Sequence, residues 1–92
     1  MSEYIEVQAE TTDDPAIMLL RTNLHLAEEK PEEYLTTPDM EEGSALAQVM
    51  APIEGVIRLR IEENNLIIWR DPAVPWHLIV SEATVALKEF FL

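Results

Sequence analysis

Residues 56–70 read Val-Ile-Arg-Leu-Arg-Ile-Glu-Glu-Asn-Asn-Leu-Ile-Ile-Trp-Arg. Two apolar-rich runs, Val56–Ile61 and Leu66–Arg70, flank Asn64 and Asn65. Asparagine tolerates the left-handed conformation that tight hairpin turns require, so the stretch predicts a β-hairpin. An even-length turn puts Ile57, Leu59 and Ile61 on one face with Leu66 and Ile68. That set is wholly apolar and is expected to be the core face. Arg58, Arg60, Ile67 and Trp69 then share the opposite face. A β-bulge would invert the parity and move Trp69 into the core.

Working outward, a short helix precedes the hairpin. Ser44 is a suitable N-cap, and Ala45 to Met50 are good helix formers with an apolar stripe of Leu46, Val49 and Met50. Pro52 stops it. A longer helix follows the hairpin. Pro75 suits its first turn, and Trp76, Ile79, Val80, Ala83, Ala86, Leu87 and Phe90 recur at three- and four-residue spacing. At the N-terminal end, Ile5, Val7 and Ala9 alternate with Tyr4, Glu6 and Gln8, the period of a half-buried strand. Thr11 to Pro15 is a turn cluster, and Ala16 to Arg21 is a second, near-continuous apolar strand. The element order is ββαββα.

The chain has 92 residues, with 18 acids against 6 Lys or Arg and a net charge of −12. That length fits one domain, residues 1–92. The 48% hydrophobic content argues against a disordered acidic tail. Such a charge argues against nucleic acid or an anionic membrane as main partner. Residues 1–42 hold 12 acids and 2 bases, residues 43–92 only 6 acids and 4 bases. The densest stretch, Glu28 to Glu42, carries Pro31 and Pro38 and reads as a flexible acidic loop. Met1 to Glu10 has neither the basic nor the apolar region of a secretory signal, so a cytoplasmic location is expected.

Candidate chemistry is sparse. The sequence has no cysteine, which removes disulfides, thiol catalysis and thiolate-held metals or clusters. Two glycines, Gly43 and Gly55, cannot build a phosphate-cradling loop. Acidic doublets occur at Asp13-Asp14, Glu28-Glu29, Glu32-Glu33, Glu41-Glu42 and Glu62-Glu63. Neighbouring residues point apart on helices and strands, so these pairs suit neither a shared proton nor a metal. His25 and His77 are far apart in sequence. No catalytic residue, cofactor or metal ligand is expected, and the chain does not read as an enzyme. Half the basic residues, Arg58, Arg60 and Arg70, lie in the hairpin. They either balance the acidic surface or belong to a partner surface.

Several local patterns, in order, resemble the N-terminal domain of the Nfu family of iron–sulfur cluster proteins. Ser44 to Val56, SALAQVMAPIEGV, resembles that family's helix and the Ile-x-Gly-Val leading into a strand. Val74-Pro75-Trp76 resembles its Val-x-Trp before a last helix, which here ends in Phe90-Phe91. Thr12-Asp13-Asp14-Pro15 stands where the family has Thr-Pro-Asn-Pro-Asn and matches at Thr12 and Pro15. The resemblance implies an α+β, two-layer domain, with an antiparallel-rich sheet of about four strands in two hairpins and two helices on one face. It also places Met18 and Leu20 inward, which turns Ile17, Leu19 and Arg21 onto the face of Arg58, Arg60, Ile67 and Trp69. These seven residues are the candidate partner-binding set, for another protein or a second copy of the chain.

In complete Nfu proteins the cluster is carried by a separate Cys-x-x-Cys domain. The resemblance therefore implies a non-catalytic accessory or protein-binding module of iron–sulfur cluster assembly, or a fragment of a longer protein. Its partner would carry or receive a cluster. The alternative is a small acidic α+β interaction domain recruited to an unrelated partner.

Overall fold

The computed structural model describes residues 5–27 and 30–91. Its elements in chain order are β1 (Val7–Thr11), β2 (Ile17–Thr22), β3 (Glu32–Tyr34), α1 (Thr37–Glu41), α2 (Ala45–Met50), β4 (Val56–Ile61), β5 (Asn65–Arg70) and α3 (Trp76–Phe91). The strands form one antiparallel sheet in the order β1-β2-β5-β4-β3. The class is α+β, as expected, but among the described residues the sheet has five strands rather than about four, and there are three helices rather than two.

Both additions fall in the acidic segment expected to be a loop. Glu28 and Glu29, at its start, and Tyr4, in the first alternating run, lie outside the described residues. Beyond them, β3 pairs with β4 through Glu32–Ile61, Glu33–Arg60 and Tyr34–Leu59. A strand of Glu-Glu-Tyr has no apolar alternation of its own; its partner supplies the reason to extend. α1 is set by Thr36, whose Oγ1 accepts from the Asp39 N–H at 3.2 Å, and by Pro38 in the first turn. Met40, fully buried, anchors it. Tyr34 then ties β3 to the next helix. Its hydroxyl donates to Glu32 Oε1 at 2.5 Å and accepts from the Ser44 N–H at 3.1 Å. A Cβ at Gly43 would overlap the Tyr34 ring, so only glycine lets the ring lie there.

The inner face of the sheet carries Met18 and Leu20 from β2, Leu59 and Ile61 from β4, and Leu66 and Ile68 from β5. They form one buried cluster with Met40, with Leu46, Ala47 and Met50 of α2, and with Ile79, Ala83 and Leu87 of α3. The helices therefore cover this face. Val49 and Phe90, expected in the apolar stripes, are half-buried and 38% exposed, while Ala47 and Phe91 pack instead. Ala9, expected on the buried side of β1, is exposed, while Val7 packs against the core.

Ile57 corrects the hairpin reading. The β4–β5 register shifts between Val56 and Arg58. This bulge absorbs one residue, so Val56 turns inward at 3% exposure and Ile57 stands 46% exposed. Because the bulge sits at the start of β4, the parity beyond it is unchanged. Arg58 still faces Trp69, and Trp69 stays out of the core. Gly55, just upstream, has φ +97, and a Cβ there would sit 2.8 Å from Val74 and Ile79 atoms. Glycine is thus required twice over, by backbone and by space. Among the described residues, no helix is long and apolar enough to cross a membrane.

Candidate partner-binding face of the sheet

Residues directly opposite across antiparallel strands share a face. The register lines up Ile17, Trp69 and Arg58 in one row across β2, β5 and β4. The next row is Glu10, Leu19, Ile67, Arg60 and Glu33, running from β1 to β3. Arg21 lies in a third, between Gln8 and Asn65. All seven candidate residues are therefore on the outer face, opposite the helices. Ile17, Leu19, Ile67 and Trp69 are half-buried there, with no second layer above them among the described residues.

Arginines shield the apolar strip. The Arg58 guanidinium lies over the Trp69 ring, 4.4 Å from its centroid. A cation stacked this way is attracted by the ring's negative face, worth about 0.5–1 kcal/mol at an exposed site. The geometry also explains why Arg58 Nε is buried without a hydrogen-bond partner among the described residues: it lies against the ring. Arg58 Nη2 reaches Glu33 Oε2 at 2.6 Å, and Arg60 Nη1 reaches Glu33 Oε1 at 3.3 Å. Arg60 Nε also bonds Glu62 Oε2 at 3.0 Å. Arg21 pairs with Glu10 through Nε at 3.1 Å and Nη2 at 3.4 Å. Each outer arginine thus has a carboxylate partner. Such exposed pairs add little stability each. Their larger effect is local neutrality on a chain of net charge −12.

Glu10, Glu33 and Glu62 were not legible as members of this face. Glu33 and Arg58 are joined only by the β3–β4 pairing, which crosses 25 positions of sequence. Arg70 does not join the strip. It stacks on Trp76 at 5.4 Å and donates to the Val74 carbonyl at 3.3 Å. Trp76 Nε1 in turn donates to the Pro15 carbonyl at 2.8 Å, which fastens the β1–β2 turn to the start of α3. His25 lies in the loop after β2 and His77 in the first turn of α3. Among the described residues, no group of three or more His, Asp or Glu could hold a metal ion.

The fold has counterparts among solved structures. The solution structure of a NifU-like protein from Saccharomyces cerevisiae matches 97% of this chain and 82% of that chain, with a TM-score of 0.79 and 24% sequence identity. The chain has a NifU-like fold. The crystal structure of the protein SAV1430 from Staphylococcus aureus matches 89% of this chain and 98% of that chain, with a TM-score of 0.72 and 12% identity. No family model matches the chain, and no curated protein matches it by sequence. At these identities the likeness is one of fold.

Proposed function

We propose that the chain is a non-catalytic protein-binding module of iron–sulfur cluster assembly, docking a cluster carrier or recipient on the outer sheet face. The observation that carries the reading is the strip of Ile17, Leu19, Ile67 and Trp69, unlayered and framed by arginines. Interface cores are enriched in Trp and Arg, and partly exposed apolar surface of this kind suits an interaction site. The NifU-like fold supports the pathway, in keeping with the sequence resemblance. Without cysteine the chain does not fit a thiolate-held cluster, so its part is to bind a protein that handles one.

The test is affinity capture from cytoplasm with the wild-type chain and with Ile67→Thr/Trp69→Ser, partners being identified by mass. The reading requires cluster-carrying or cluster-receiving proteins on the wild type and their loss on the variant. Recovery of unrelated proteins alone would favour the second reading, an acidic interaction domain recruited elsewhere. That reading rests on the same strip and does not need the pathway.

A further inference from the structure

A second surface lies on the opposite side of the molecule, over the helices. The connection after α2 and one flank of α3 border an open groove of about 440 Å³. Pro52 and Ile53 form one wall, and Val85 and Ala86 the other. Small side chains at Ser81 and Ala86 leave the gap open. Val85 is 52% exposed, and Leu78, two turns earlier on the same stripe of α3, is 51% exposed. An amphipathic helix normally turns such residues inward.

Glu82 and Glu89 also line the groove. They are seven residues apart on α3, which places the two carboxylates about 10 Å apart along one flank. Lys88, in the last turn of α3, is not among the lining residues. The groove is thus apolar inside and acidic at its rim. This differs from the outer sheet face, where Glu10, Glu33 and Glu62 are paired with arginines.

We propose that this groove docks a basic amphipathic segment of a partner protein. Apolar side chains of the segment would enter between Ile53 and Val85, and lysines or arginines two turns apart would meet Glu82 and Glu89. Helix-in-groove recognition uses this spacing of anchors. Charge decides the occupant. A second copy would bring another net charge of −12 and be repelled, whereas a basic segment is attracted and steered. The inference does not depend on the pathway or on the sheet face.

The probe is a synthetic Leu–Lys amphipathic peptide of about four helical turns, titrated into the isotope-labelled full chain and followed by amide shifts. Shifts should centre on Ile53, Glu82, Val85 and Ala86. Glu82→Lys/Glu89→Lys should weaken binding by about tenfold or more, while Glu41→Lys/Glu42→Lys, the same charge change at α1, should weaken it by about twofold or less. Val85→Ser, at an exposed position, provides a reading that leaves charge untouched and should also weaken binding. Equal loss from both charge reversals, shifts centred on the sheet, or no measurable binding would each overturn the proposal.

Discussion

The two faces of the sheet hold similar side chains and have opposite fates. The inner face presents Met18, Leu20, Leu59, Ile61, Leu66 and Ile68, none more than 7% exposed. The outer face presents Ile17, Leu19, Ile67 and Trp69, all half-buried. Apolar content does not separate them. What separates them is the cover: packed helices on one side, a thin layer of ion-paired arginines on the other. Packed helices exclude water from the inner face at crystal-like density for as long as the domain is folded. Paired arginines can swing aside, because an exposed ion pair costs little to break.

That difference is broken most directly from the inside. Leu66→Ala removes a fully buried side chain and leaves a cavity beneath α2 and α3. It should lower stability by about 2–5 kcal/mol in urea unfolding. A loss below about 1 kcal/mol would mean that the inner face is not the tightly packed one. At the other end of the scale stands Ile57. The sequence alternation assigns it to the core, but the bulge turns it out. Ile57→Thr keeps the β-branched shape and should change stability by no more than about 0.5 kcal/mol. A core-sized loss would show that the bulge does not form.

The contrast between faces was largely written in residues 56–70. Alternation from Arg58 onward assigned each side chain correctly, because one face of a strand repeats every second residue. The bulge at Val56–Arg58 was not legible, since inserting one residue leaves no compositional mark. Ser44 and Pro75 gave the helix starts through local capping chemistry, which needs no tertiary information. The strand Glu32–Tyr34 had no such signal: three residues, two of them acids, become a strand only because β4 offers its edge. Thr36 and Pro38 were the readable signs of α1, overshadowed by the surrounding charge. For the candidate site, the seven residues could be placed together from parity and the family resemblance. Their carboxylate partners could not, because Glu10 and Glu33 arrive through strand pairing alone. The acidic groove along α3 was hidden for a similar reason, as its two walls are separated by the whole of the hairpin.

The central claim is that the outer strip is surface kept for a partner and not a second core. Urea unfolding of Ile67→Thr/Trp69→Ser, set beside Leu66→Ala, tests it most directly. The expected result is a single cooperative transition with a smaller loss of stability than Leu66→Ala causes alone. A double variant that lacks a folded baseline, or loses more than Leu66→Ala, would contradict the claim and make Trp69 part of what holds the fold together.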